Sequence, residues 1–99
     1  MRITIVLIVL SFCIWACSAP ENKKESISGI EIYKTRCVSC HGTDGKMGMN
    51  GAKELPYSPL DASQRMEVVT YGRNIMPAFK EMLSKEEIKA VVDFTMTLK

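Results

Sequence analysis

Cys37-Val38-Ser39-Cys40-His41 is the one Cys-x-x-Cys-His string in the chain, and His41 is the only histidine. Two thiols three positions apart can each bond one edge of a porphyrin as a thioether. The imidazole that follows can put a ring nitrogen on the iron. Two other chemistries start from the same residues. A dithiol redox pair sits beside a βαβ pattern, and no such pattern is visible here. A structural zinc site takes four ligands, and no further Cys or His follows His41. The spacing points to one covalently bound haem c, held by Cys37 and Cys40 with His41 on the metal.

Reading outward, Ser28-Gly29-Ile30-Glu31 has the form of a capping box, with Ser28 as N-cap and Glu31 at N3. Ile30, Tyr33 and Cys37 recur on one helical face. The helix that this predicts runs through the motif and stops at Gly42. Cys37, Cys40 and His41 then fall on nearly one side of it. Gly42 to Ser58 carries Gly42, Gly45, Gly48, Gly51 and Pro56, too broken for a long element. It reads as a loop with one short helical turn near Leu55. A second helix is expected over Ala62 to Tyr71, capped by Asp61 with Gln64 at N3 and closed by Gly72. Ala62, Met66 and Val69 share a face of it. Arg73 to Phe79 reads as a loop. A last helix follows Ser84, whose partner in a capping box is Glu87. Ile88, Val91, Val92, Thr95 and Leu98 recur along it at helical spacing. The fold class is all-α with long loops.

The chain has 99 residues, which allows one domain. Its N-terminus reads as a targeting segment. Arg2 precedes an apolar run from Ile3 to Ile14, as in a secretory signal peptide. Ile14-Trp15-Ala16-Cys17 resembles a lipoprotein lipobox, with cleavage before Cys17 and a lipid on that thiol. The expected division is a signal peptide at 1–16, lipidated Cys17 and a flexible tether at 17–27, and the working domain at 28–99. A domain this short buries only about 60% of its unfolded surface, so a prosthetic group that doubles as core suits it. Cys13 leaves with the signal, Cys17 takes the lipid and Cys37 and Cys40 take the haem, so no thiol is left over. Lys plus Arg is 13 and Asp plus Glu is 11, a net charge of +2. No charge block points to nucleic acid.

The order and spacing of three parts of the chain resemble the class I monohaem cytochromes c. These are Cys37-Val-Ser-Cys40-His41-Gly42 with Asp44-Gly45-Lys46, then Ile75-Met76-Pro77-Ala78-Phe79, then the closing helix led in by Leu83-Ser84. The resemblance covers about Ser28 to Lys99. It implies a small cytochrome c fold, with three main helices and long loops wrapped around one haem. It also implies that the first and last helices cross, with Gly29 against Phe94 as the matching pair. Many members carry a proline whose carbonyl accepts a hydrogen bond from the ligating histidine. Here the stretch reads Asn50-Gly51-Ala52-Lys53-Glu54-Leu55, and a carbonyl from Ala52 or a neighbour is expected to serve.

The second iron ligand comes from among the methionines. Met47 and Met49 follow His41 closely, and Met66, Met82 and Met96 lie in or beside expected helices. Met76 stands in a loop, and Pro77 biases its backbone toward an extended form, so Met76 is the expected ligand. Tyr33, Tyr57, Tyr71 and Arg73 are candidates for the haem propionates, and Lys34, Lys46 and Lys80 for a docking rim. The resemblance implies a one-electron carrier with no small-molecule substrate. Donor and acceptor would be redox proteins, membrane-bound ones if a lipid on Cys17 holds the domain in the bacterial envelope or periplasm. Two alternatives are a haem subunit of a larger membrane complex and a ligand sensor with an open sixth position.

Overall fold

The structure, a computed structural model, describes residues 26–99. The signal peptide, Cys17 and most of the tether lie outside the described residues. The chain forms α1 (Gly29–Arg36), α2 (Val38–His41), two single 3₁₀ turns (Met49–Gly51 and Leu55–Tyr57), α3 (Ala62–Tyr71) and α4 (Lys85–Thr95). Among the described residues there is no strand, only one antiparallel bridge between Arg73 and Met76. No helix there is long and apolar enough to cross a membrane.

Both later helices begin where their caps dictate. Asp61 Oδ1 accepts from Gln64 N at 2.8 Å, and Gln64 Oε1 accepts from Asp61 N at 3.0 Å. Ser84 Oγ accepts from Glu87 N at 3.1 Å, and Glu87 Oε2 accepts from Ser84 N at 2.7 Å. Each box satisfies two of the donors that a helix start leaves open. The box at the first helix is only half made. Ser28 Oγ accepts from Glu31 N at 3.3 Å, while the Glu31 carboxylate turns outward to Lys34 at 3.1 Å. A cation on the same helix face competes with the box for that carboxylate.

The expected single helix through the motif is interrupted at Cys37, which caps both α1 and α2 with φ −115°. Its N–H still bonds to Tyr33 O, and its carbonyl still accepts from His41 N, both at 2.9 Å. The break therefore re-aims the motif without cutting the chain of hydrogen bonds. Within α1 itself Tyr33 is buried, while Ile30 near its start is 47% exposed.

The core lies where α1 and α3 pack on α4. Tyr33, Phe79, Ile88, Val91 and Val92 are its buried apolar residues. Gly29 sits directly against the α4 backbone. A Cβ there would be 2.6 Å from the Ala90 carbonyl carbon and 3.2 Å from Phe94 Cβ. The absent side chain is thus what lets the two helices cross this closely, and Gly29 meets Phe94 as the resemblance implied. Tyr33 packs edge-on to Phe94, ring centroids 5.1 Å apart, a favoured aromatic geometry.

Candidate haem-binding site

The helices and loops surround a cavity of about 250 Å³. Protein interiors are close-packed, and engineered apolar voids of only ~150 Å³ already take up benzene. A space this large in so small a domain has room for a bound group. Leu55, Leu60, Val68, Val69 and Val91 give it apolar walls, and Cys37, Cys40, His41 and Met76 all border it.

Cys37 and Cys40 are half-buried free thiols. Burial, and then the neighbouring Cys40, push the Cys37 thiol up to about 11. At neutral pH it is a neutral thiol. Reactive dithiols depend on the opposite shift, so the environment argues against a redox-active dithiol.

His41 ends α2. Gly42, at φ +76°, turns the chain sharply away after it while its N–H bonds back to Val38 O. A Cβ on Gly42 would fall 2.8 Å from Met47 Cβ, so glycine is required there for space as well as for φ. The imidazole is 9% exposed, and its Nδ1 lies 3.1 Å from Lys53 O. Nδ1–H donates to that carbonyl, which leaves the lone pair of Nε2 for a metal. Burial lowers the His41 pKa, against a smaller opposite effect of the Lys53 bond. Neutral imidazole is the form that ligates. The carbonyl comes from Lys53, the residue after Ala52.

Met76 is positioned by a tight hairpin. Arg73 N donates to Met76 O at 3.1 Å, and Met76 N donates to Arg73 O at 3.0 Å. Asn74 takes the left-handed conformation at the tip, φ 55°. Gly72 allows the hairpin to lie against its own start. A Cβ there would be 2.7 Å from Met76 O and 2.8 Å from Ala78 N, and its φ is +76°. Beyond Pro77, Phe79 N bonds Val69 O and Lys80 N bonds Thr70 O, which ties the segment to α3. Of the other methionines among the described residues, only Met49 borders the cavity. It belongs to a 3₁₀ turn that packs against α2, the element that carries His41.

Arg65 is a cavity residue that the sequence reading missed. It is 8% exposed. Nε donates to Leu60 O, Nη1 to Thr95 O and Oγ1, and Nη2 to Leu55 O, all between 2.9 and 3.2 Å. No carboxylate pairs with it among the described residues. A guanidinium has five N–H donors, so one remains for a partner in the cavity. No signal in the sequence separates Arg65 from an exposed helical arginine. Among the proposed propionate partners, Tyr33 donates instead to Gly42 O at 2.6 Å. Tyr57 and Tyr71 are exposed and lie off the cavity, under the ammonium groups of Lys46 and Lys80. Arg73 borders it.

Two thiols, an imidazole with one nitrogen committed to a carbonyl, a thioether and a buried cation around an apolar space are a donor set that suits a haem c. Comparison with known proteins agrees. Residues 26–94 match the family described as Cytochrome C oxidase, cbb3-type, subunit III. The chain is 31% identical over 99 residues to cytochrome c6 of Nostoc sp. (strain PCC 7120 / SAG 25.82 / UTEX 2576), covering 94% of this chain and 88% of that protein. It is 33% identical over 87 residues to the cbb3-type cytochrome c oxidase subunit FixP of Azorhizobium caulinodans, covering 82% of this chain and 30% of FixP. The solved KustC0563 c-type cytochrome superposes with a TM-score of 0.68 at 29% identity, over 74% of this chain and 99% of that one. The chain belongs to the class I c-type cytochromes, all-α electron carriers with one covalently bound haem c.

Proposed function

We propose that Cys37 and Cys40 would hold the haem by thioether bonds, and that His41 and Met76 would ligate its iron. The observation that carries this reading is that all four side chains border one cavity, Cys37, Cys40 and His41 from α2 and its N-cap and Met76 from the Arg73–Met76 hairpin. When bound, the haem supplies a one-electron Fe(III)/Fe(II) couple whose potential a Met/His pair raises. The protein's own part is to hold still. Lys53 O fixes the His41 ring, and the Arg73–Met76 pair fixes the backbone that carries the Met76 side chain. The apolar walls exclude water, and the Arg65 charge lies beside the site. With His41 and Met76 both ligating, a bound haem would leave no open position for a substrate and would exchange electrons by outer-sphere transfer, in brief encounters of small area.

The ferric spectrum tests the ligand assignment. A methionine ligand gives a weak far-red sulfur-to-iron band, which Met76→Ala should abolish while the haem stays attached. A variant spectrum identical to wild type would refute Met76 as ligand. An open, high-spin wild-type site would favour the sensor alternative.

The likeness to FixP supports a second reading, in which the same domain serves as a haem subunit of a larger membrane complex. Co-purification after mild solubilisation separates a subunit from a free shuttle. The proposed location is the bacterial envelope, on its export side, with Cys17 lipidated after cleavage at residue 16 and 17–27 as tether. Tethering raises the effective concentration near membrane-bound partners. Intact mass of the native protein should show haem addition, cleavage and acylation together. Cys17→Ala should release the domain or leave the precursor uncleaved, with the haem spectrum unchanged. Wild-type protein found wholly in the soluble fraction would defeat the anchor.

A further inference from the structure

Arg65 is a cation set into the interior with no anion beside it. It is buried, and it takes part in no ion pair among the described residues. No Asp or Glu among those residues borders the cavity that it lines. Its hydrogen bonds use four N–H groups. Nε gives one to Leu60 O, Nη1 gives two to Thr95, and Nη2 gives one to Leu55 O. Thr95 Oγ1 is free to accept because its own proton goes to Val92 O at 2.7 Å. The donor left over is therefore the second N–H of Nη2. Carbonyl dipoles solvate a guanidinium but do not neutralise it, and a buried charge is costly unless it is paired. Leu55 lies in a 3₁₀ turn, Leu60 just before α3 and Thr95 at the end of α4, so the fork is held from three stretches and cannot swing outward without breaking all four bonds. The missing anion has to come with whatever fills the cavity. A haem c brings two propionate carboxylates. Other donors near the cavity fit that role less well. The Tyr33 hydroxyl is committed to Gly42 O, and Arg36, Lys53 and Arg73 are exposed, where water screens their charge.

We propose that Arg65 is the buried partner of a haem propionate, giving its remaining Nη2 N–H to one carboxylate oxygen. The inference rests on the haem c reading and adds which side chain receives the charged edge of the cofactor. Hydrogen bonds between ionised partners are short and strong, and a guanidinium beside a carboxylate favours its ionised form. With one N–H left, the contact is single rather than bidentate. Through Leu55, Leu60 and Thr95 the same side chain ties that edge to the 3₁₀ turn, to the start of α3 and to the end of α4.

Proton NMR of the ferrous, haem-loaded wild type tests this without a variant. Nuclear Overhauser effects should connect the Arg65 guanidinium protons with the methylenes of one propionate, and those protons should exchange with solvent more slowly than the guanidinium protons of Arg36 and Arg73. Resonance Raman spectra read the pair from the other side. The propionate bending band rises in frequency with hydrogen bonding, so it should shift down in Arg65→Met, and by less in Arg65→Lys, which keeps a charge. Tyr33→Phe, which loosens the fold through the Gly42 carbonyl instead, should leave the band in place. Overhauser contacts from the propionates to Arg36 or Arg73, with none to Arg65, overturn the proposal. So does an equal shift in Tyr33→Phe, because the band would then follow stability and not the pair. So do Arg65 guanidinium resonances that move when inorganic phosphate is titrated into the loaded protein, because a free anion would then fill the place. If the exported chain carries no haem, the cofactor reading falls and this inference with it. A loaded haem with no contact to Arg65 sinks this inference alone.

Discussion

Replacing Arg65 with methionine should cost the haem-loaded domain about 3–5 kcal/mol, and the structure shows why the figure is neither larger nor smaller. The guanidinium makes four hydrogen bonds, to Leu60 O, Thr95 O, Thr95 Oγ1 and Leu55 O. Bonds from a charged donor contribute about 1.5–3 kcal/mol each, and a simple sum overshoots. Leu55 and Leu60 are only half-buried, so water can replace the donor at their carbonyls. Thr95 is 8% exposed, and its carbonyl has no such recourse. The variant also removes the cost of a buried charge, which offsets part of the loss. Arg65→Lys keeps the charge but not the planar fork, and should lose about half as much. The assay is guanidinium unfolding of the holoprotein, followed by far-UV circular dichroism and haem absorbance together. Domains of this kind are stable by about 5–15 kcal/mol, so the shift in midpoint is readily read. A loss below about 1 kcal/mol in Arg65→Met would show that the guanidinium does not bind the loop to α4, and would refute the reasoning.

Three further predictions concern Tyr33 and the crossing of α1 and α4. Tyr33→Phe leaves Gly42 O without its 2.6 Å donor and should cost about 1–3 kcal/mol in the same assay. Burial, then the free Cys37 thiol and Asp44, raise the Tyr33 pKa to about 12 from 10.0, and burial and Asp44 still act once Cys37 is a thioether. The unfolded state therefore loses this proton first, and stability should fall by up to about 2–3 kcal/mol as pH rises from about 10 to about 12. That fall should be absent in Tyr33→Phe, and its persistence there would assign it to another group. Gly29→Ala sets two effects against each other. Alanine gains about 0.5–1 kcal/mol of helix propensity, but its Cβ would overlap the Ala90 carbonyl, and overpacking costs about 1–3 kcal/mol or more. The overlap is with backbone, so net destabilisation is expected, and a variant at least as stable as wild type would contradict the close crossing.

The parts of the fold that were legible are those specified by near neighbours. Asp61 with Gln64, and Ser84 with Glu87, placed two helix starts because each box closes within four residues. Gly72 marked a stop, and one short turn was expected near Leu55. The turn at Met49–Gly51 was not foreseen, since it depends on Asn50 adopting φ 55°. Ile30 was placed on one face with Tyr33 by helical spacing, yet at the second position of α1 it is 47% exposed, because spacing gives a shared face and not how far the neighbouring elements cover it. Cys37, Cys40, His41 and Met76 could be nominated because their chemistry is written in residue type, and all four border one cavity. Arg65 was not, because its partners are carbonyls from Leu55, Leu60 and Thr95. A carbonyl is the same in every residue, and only the fold says which one faces the guanidinium. The acceptor for His41 was open for the same reason.

The bond from the His41 ring to the main chain at Lys53 separates two kinds of inheritance. The imidazole is steered by an oxygen that every amino acid carries, so the side chain at that position is free to change without turning the ring. Descendants of this chain can exchange one associate for another by altering what they display at the surface, and keep unaltered the electronic character passed down to them.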